Sequence, residues 1–373
     1  TVSNLISVIV LYTLINLGVS FSGSQMQGSY FAYHSFGASL ALLVTLVYVG
    51  RRYYWQTLKE AVFFRPQRET EPSGVWAFRF LILGLTGAVV ILWLSGVELP
   101  FAVLAMFLVM LVFITVARVN AETGVFFFNP AWRVAGIVVG LFGLTTLGPT
   151  LIICMGLIMY MVEADSFEAM MPFSVNSLKI TSETGLKPGR MGLAFAAVVL
   201  LIIAVAVPTG LWADYNHPAA IRRGADGSEI YDVAQTAITQ LELSDRLDEV
   251  VNYSSWDRIA NIKPARGFFV AAGLGFTMLL LFSFLRLRCT WWPLHPLVVI
   301  IYGVGAKWGA SFFIGWLIKI MVSKFGGATK YKQVKPLMIG VIVGDLGGAF
   351  GLLVINWIYY AVTGLRGARV IIW

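Results

Sequence analysis

An all-α, polytopic integral membrane fold is predicted by three properties of this 373-residue chain. Hydrophobic residues make up 58% of it and charged residues only 12%, about half the ~25% charged content of a soluble domain. The mean hydropathy is +0.80. Apolar runs of about 20 residues recur along the chain, the length that a helix needs to cross the hydrocarbon core. Together these exclude an ordinary soluble enzyme and a disordered chain, which is poor in apolar side chains. The expected count is about eight transmembrane helices, including one or two broken or re-entrant segments. The net charge of +8 reflects Lys and Arg in loops on one side of the membrane, so no nucleic-acid partner is implied.

The elements follow in order. Leu5 to Phe21 is a first span, after Thr1-Val-Ser-Asn, which has neither a charged leader nor a cleavage site. That opening predicts a piece of a longer protein or a processed product. A polar Gly/Ser stretch, Ser22 to Ser29, leads to a second span from Ala32 to Val49. It stops at Arg51-Arg52 and the aromatic anchor Tyr53-Tyr54-Trp55. The 50–75 loop carries Arg51, Arg52, Lys59, Arg65 and Arg68 and is cytoplasmic by the positive-inside rule. Spans three (Trp76 to Leu94) and four (Pro100 to Ala117) are joined by Ser95-Gly-Val-Glu-Leu-Pro100. That connection has no Lys or Arg and faces outside. The loop with Arg118, Glu122 and Arg133 returns to the inside.

Val134 to Val162 is too long for one span and too short for two, and Gly148-Pro149 breaks it. It is either one long kinked span or a re-entrant hairpin of two half-helices. A mixed-charge loop (163–190) and a clean span (Met191 to Leu211) follow. Residues 213–266 form an extramembrane segment with nine acids and six bases. Within it Ile230, Val233, Ala237, Ile238 and Leu241 recur at helical spacing, an amphipathic helix for the membrane surface or for the protein's own face. Phe268 to Leu285 is a span ending at Arg286 and Arg288. Leu297 to Ile318 is interrupted by Gly303-Val-Gly-Ala-Lys307, a basic loop holds Lys319 to Lys335, and Leu337 to Tyr360 is the last span. The domain reading is a first helix bundle (1–212), the extramembrane segment (213–266) and C-terminal transmembrane helices (267–373).

Two topologies compete. If both ambiguous segments cross, Arg286 and Arg288 face outside. If both re-enter, these arginines share the cytoplasmic side with Lys319 to Lys335, and 213–266 lies outside. Lys/Arg counting favours the second, which also requires a protein-lined or wet cavity around the non-helical backbone.

Chemistry is sparse. Asp345, in Gly340-Val-Ile-Val-Gly344-Asp345, is an intramembrane carboxylate beside a Gly340/Gly344/Gly348 stripe suited to close helix approach. Such a charge costs a few kcal/mol and faces a partner or water. It reads as a coupling or substrate site, or as half of a structural ion pair with Lys307, the second intramembrane charge. Glu122 pairs with Arg118 one turn away, or joins Asn120 at a cavity floor beside Phe126-Phe-Phe128. His295, between Leu294 and Pro296, lies in a turn. His34 edges its span, and Arg79 snorkels. Two cysteines, Cys154 and Cys289, and three scattered histidines form neither a disulfide framework nor a metal site. No nucleotide, haem or nucleophile motif appears, so no cofactor and no enzymatic activity are expected.

Several stretches carry a family resemblance. They are Trp292-Pro-Leu-His-Pro296, Trp316-Leu-Ile-Lys319, Phe325-Gly-Gly327, Tyr331-Lys332, Lys335-Pro336 and Gly340-Val-Ile-Val-Gly344-Asp345. Ala117-Arg118-Val-Asn-Ala-Glu122-Thr-Gly124 fits an Arg-x-x-Ala-Glu-x-Gly element, and Gly37-Ala38, Tyr48 and Arg51-Arg52 also fit. The chain thereby resembles uncharacterised bacterial polytopic membrane proteins remotely similar to the oligopeptide transporter superfamily. Members are longer at the front. The resemblance implies a C-terminal part of such a protein in a bacterial cytoplasmic (inner) membrane, partnered by lipid and by the missing front or another subunit, and able to form a homo-oligomer. The expected function is ion-coupled transport of a small organic or peptide-like solute, with Asp345 and Lys307 first and Glu122, Asn120 and His295 next. The rival is a structural or accessory subunit of a membrane complex.

Overall fold

The computed structural model describes residues 26, 28–63, 72–125, 128–163, 170–216, 220–264, 266–301 and 309–363. The first span (Leu5 to Phe21) and Lys307 lie outside these. Among the described residues the structure is helical, with no strand. Among the described residues, seven helices are long and apolar enough to cross a membrane. The protein is an all-α polytopic membrane protein. It falls into two compact units, Val2–Ala306 and Lys307–Trp373, the second also counting Thr1. The 213–266 segment and the helix after it therefore stay with the first unit.

In the first unit, α1 (Tyr30–Phe63), α2 (Pro72–Leu94) and α3 (Leu99–Thr123) pack on one another. α1 has 34 residues, about 51 Å of helix, so it continues well past the expected stop at Val49. Its end is held by Arg79 of α2, whose guanidinium donates to the Glu60 and Ala61 carbonyls (3.3 and 3.1 Å) and lies over the Trp76 ring. A helix leaves its last carbonyls without intrahelical donors. Arg79 supplies them, so it does more than reach for the membrane surface. α3 likewise runs beyond Ala117 to Thr123. It ends at Gly124, whose φ of +72° lets its N–H donate to the Asn120 carbonyl.

The Val134–Val162 segment becomes α4 (Val134–Phe142) and α5 (Leu144–Ile158), followed by a π-turn, Met159–Glu163. The backbone breaks twice, at Gly143 (φ +86°) and Gly148 (φ +73°), ahead of Pro149. A straight helix would hold Val139 and Met159 about 30 Å apart. Instead the π-turn packs back against α4. Gly28 sits beside Gly136 and Met26 beside Gly156, although Gly28 and Met26 are two residues apart. The segment is therefore a hairpin of two arms, of which α4 at nine residues is about 13 Å long, well short of a span. Leu144–Met161 is long and apolar enough to cross, but here it is the returning arm.

Beyond the hairpin come α6 (Met170–Thr184), α7 (Pro188–Asn216), α8 (Ala220–Leu243), α9 (Leu247–Val251), α10 (Ser255–Ala260), α11 (Arg266–Arg288) and the short α12 (Val298–Ile301). The expected 163–190 loop thus contains a helix, α6. Its Pro172 sits in the first turn, where proline fits, and the next break is the αL residue Gly185. α8 is the amphipathic helix, and it lies on the protein's own face. Ile230, Val233, Ala234, Ala237 and Leu241 are buried, while Asp232, Gln235, Thr236, Thr239, Gln240 and Glu242 are exposed. α8 packs along α5, with Ile230 against Gly156.

α11 crosses α1 at very short range. A Cβ on Gly275 would collide with the His34 carbonyl, and one on Gly37 with the Ala272 carbonyl. Small residues at such a crossing allow backbone-to-backbone packing. Tyr30 meets Phe268 near the start of both helices (ring centroids 5.2 Å), so α1 and α11 run in the same direction. The core beside this crossing holds Tyr33, Trp132, Phe128 and Phe101, all fully buried.

Three side-chain contacts then sort the loops of this unit by side. Glu98 at the start of α3 bonds to Arg258 of α10. Asn120 near the end of α3 bonds to Asn176 of α6. Glu122 at that same end meets His295 after α11. Residues 170–190 and 286–295 thus lie at the same end of the unit, that of the C-terminus of α3, and 246–263 lies at the opposite end with Glu98. This is the arrangement that a re-entrant 134–162 segment requires.

The second unit is α13 (Gly309–Thr363), helical apart from Gly327 (φ +64°). The stretch from Lys319 to Lys335 is therefore helix, where the sequence reading placed a loop. Lys and Gln are good helix formers, and charge alone does not break a helix. Only Gly327 turns the chain.

Candidate functional site

Three of the five sequence candidates, Asn120, Glu122 and His295, come together at the C-terminal end of α3. Arg118, Asn120 and Glu122 occupy its last turn and a half. Arg118 bridges to Glu122 Oε1, the i,i+4 pair expected from their spacing. The other carboxylate oxygen, Oε2, lies 3.5 Å from His295 Nε2. His295 sits in the turn after α11, as its Pro-flanked sequence predicts. There the Leu297 N–H donates to Nδ1 (3.3 Å). Nδ1 is thus an acceptor, so the neutral ring carries its proton on Nε2 and presents it to Glu122. Burial first, then Arg286, pushes the His295 pKa below the ordinary imidazole value, with Arg118 acting the same way and Glu122 opposing. Both side chains are partly exposed, Glu122 at 26% and His295 at 35%, so water and protons reach them.

Asn120 is 4% exposed. Its Oδ1 accepts from Asn176 Nδ2 (3.2 Å), while its own Nδ2 has no hydrogen-bond partner among the described residues. An unmatched buried donor costs about 1–3 kcal/mol. Trp292 Nε1, three residues before His295, is a second buried donor without a partner there. The C-terminal end of α3 thus combines a carboxylate, a guanidinium, a titratable imidazole and unused buried donors. Asn176 was not legible in the sequence, because nothing in the 163–190 pattern places it beside Asn120.

Asp345 lies in the second unit, exposed on α13. A Cβ on Gly340, Gly344 or Gly348 would meet no atom within 4 Å. The Lys307–Asp345 pairing falls partly outside the described residues.

The hairpin has its own polar clamp. Arg258 has a side chain only 6% exposed. Its Nε donates to Glu98 Oε1 (2.9 Å) and its Nη1 to the carbonyls of Thr146 (2.9 Å) and Leu147. Nη2 reaches the Val250 carbonyl (3.3 Å). The Thr146 and Leu147 carbonyls immediately precede the Gly148 break, where the helix ladder cannot satisfy them, while the Val250 carbonyl also accepts from the Tyr253 N–H. The Lys263 N–H also donates to the Phe142 carbonyl (3.3 Å) at the Gly143 break. At the other end of the hairpin, Glu229 of α8 accepts from the Tyr160 hydroxyl (3.1 Å) and the Met26 N–H (3.2 Å). Neither Glu98, Arg258 nor Glu229 was singled out in the sequence, since each reads as an ordinary loop charge. A cavity of about 530 Å³ opens beside the tip, lined by Leu104, Leu141, Phe142, Ile262, Pro264, Phe269 and Arg266.

Comparison with known families assigns the chain. Residues 4–369 match a family of unknown function (DUF6785). The chain belongs to that family. No curated protein and no solved structure matches it. DUF6785 membership agrees with the expected uncharacterised family. The relation to oligopeptide transporters and the bacterial origin rest on the sequence resemblance alone.

Proposed function

We propose that this DUF6785 chain is a secondary transporter, or part of one, moving a small organic or peptide-like solute at the expense of an ion gradient. The observation that carries the reading is the α4–α5 hairpin, with its two glycine breaks held by protein groups. Broken helices are what carriers use to bind solute and coupling ion, and such backbone persists at membrane depth only where protein or a wet cavity lines it. The exposed polar face of α8, beside α5, supplies a wet wall. Arg266, in the otherwise apolar cavity at the hairpin tip, suits the carboxylate of an apolar solute. Glu122 and His295 supply a proton site on the inner side. Asp345 and Lys307 remain proposed coupling charges of the C-terminal unit.

The chain acts in this reading as a non-enzymatic inner-membrane protein. Its test is uptake into proteoliposomes with and without an inward proton gradient, using peptides, amino acids and organic acids. Gradient-dependent uptake is expected, with Glu122→Gln losing the gradient dependence and Arg266→Gln raising the solute concentration needed. Flux for none of these solutes moves the assignment to an accessory subunit of a membrane complex, a reading favoured by the open glycine stripe of α13.

A further inference from the structure

A second cavity, of about 500 Å³, lies between α1 and α2 on the basic side of the first unit. Its lining is Val47, Arg51, Arg52, Tyr54, Trp55 and Leu58 of α1 with Phe78 of α2. Two features set it apart from an ordinary groove between helices. Arg51 and Arg52 both border the space, chiefly with the apolar stems of their side chains, and neither guanidinium bridges to a carboxylate among the described residues. The remaining walls are apolar or aromatic, exposed at Val47, Tyr54 and Trp55 and half-buried at Leu58 and Phe78, with Val47 at the membrane end and Trp55 and Leu58 beyond the arginines along α1. Arg51 also stacks on Tyr48 and Lys59 on Trp55 (4.5 and 5.1 Å to the ring centroids). These aromatics keep the cations at the interfacial level, where Tyr and Trp belong.

We propose that this cavity is a binding site for one anionic phospholipid of the cytoplasmic leaflet. The phosphodiester sits on Arg51 and Arg52, and an acyl chain lies along Val47 and Phe78. Guanidinium forks match phosphate oxygens, and basic pockets between transmembrane helices on the cytoplasmic side suit anionic head groups. A free phosphate would use the arginines and leave the apolar walls wet, so the two-part lining selects the lipid. The site is separate from Glu122, His295 and the hairpin, and it stands whether or not the chain transports.

The test is native mass spectrometry of the full chain in detergent. The protein is incubated with phosphatidylglycerol or with phosphatidylcholine of the same acyl chains. Preferential retention of phosphatidylglycerol is expected, with one tight copy. Arg51→Gln with Arg52→Gln should lower that retention about tenfold, since each basic residue at the surface adds substantially to anionic-lipid affinity. Leu58→Trp fills the cavity with both arginines in place and should lower retention as well, which covers the case in which the double variant does not fold. Arg288→Gln, a basic residue at the end of α11, should change nothing. Equal retention of the two lipids overturns the proposal. So does an undiminished signal in Leu58→Trp, an equal loss in Arg288→Gln, or displacement of the lipid by millimolar inorganic phosphate.

Discussion

The glycines of α1 and α11 and those of α13 look alike in sequence and do different things in the structure. Gly340, Gly344 and Gly348 form a regular small-residue stripe, the pattern that announces close helix packing. A Cβ at any of them meets open space within 4 Å. Gly37 and Gly275 lie in small-residue stripes of the same kind, Gly37/Ala41 and Gly267/Ala271/Gly275, but each lies under a carbonyl of the opposite helix, with no room for a methyl group. A stripe is a capacity for close approach. Whether it is used depends on which helix arrives, and that is a long-range property of the chain. The charged residues divide the same way. Asp345 was the most conspicuous carboxylate in the sequence and is exposed on α13. Glu98, an ordinary turn residue by pattern, is the partner of a guanidinium whose side chain is only 6% exposed.

The largest expected effect comes from that guanidinium. Arg258→Ala removes the side-chain donor of the Thr146 and Leu147 carbonyls and the cationic partner of Glu98, which keeps only the Ser255 hydroxyl. Removing one partner of a buried pair costs about 3–5 kcal/mol. Thermal unfolding in detergent should show a large loss, whereas Asp345→Asn should change the same transition by under about 0.5 kcal/mol. Equal effects of the two substitutions would erase the contrast between the units.

The glycine comparison comes next. Gly275→Ala forces α1 and α11 apart and should cost about 1–3 kcal/mol, the range for overpacking. Gly148→Ala should cost about as much, because its φ of +73° disfavours any side chain and the added carbon would lie 3.3 Å from both Arg258 Nη1 and Val250 Cγ1. Gly344→Ala meets nothing and should be neutral or stabilise by up to ~1 kcal/mol through helix propensity. A destabilising Gly344→Ala would reveal a partner on the stripe.

The hairpin topology makes an all-or-none prediction about sidedness. A cysteine at Asn252, exposed between α9 and α10, should react with a membrane-impermeant thiol reagent added outside intact cells. Asn252 serves better than Ser254, whose side chain caps α10. Protection of Asn252→Cys from that reagent would place 213–266 inside and sink the re-entrant arrangement.

The smallest effect is a pH dependence. The folded protein holds His295 below the ordinary imidazole value of about 6.5, so the fold favours its neutral form. The unfolded chain therefore takes up the proton first as the pH falls. The stabilisation from His295 is complete above about pH 6.5 and fades as the pH drops through the lowered folded value. Melting curves of the parent and of His295→Gln should converge on acidification by a modest amount, given that the side chain is 35% exposed. A parent that gains stability relative to His295→Gln at low pH would show instead that the Glu122 carboxylate outweighs burial and the arginines.

Much was legible because it is local. Apolar runs near 20 residues identified the spans, since burying backbone in lipid demands continuous helix. Gly148-Pro149 announced a break, since proline removes a ladder donor. The Ile230 to Leu241 spacing announced a buried face, and Arg118 to Glu122 an ion pair one turn apart. Helix ends were less legible. α1 and α3 run past their apolar windows, and α6 and the Lys319–Lys335 stretch are helical although polar, because hydropathy marks where lipid is and says little about where a helix stops.

The sequence by itself therefore determined the membrane class, the helical content, the broken segment and the membership of one polar cluster. Only the tertiary structure decided that Val134–Val162 turns back, that α8 covers its returning arm, and that Arg258 and Glu98 secure its tip. It also decided which glycines bring backbones together. The reason is the range of the forces. Hydropathy and helix propensity act within a few residues, while the hydrogen bonds that close the hairpin join groups 111 to 160 positions apart.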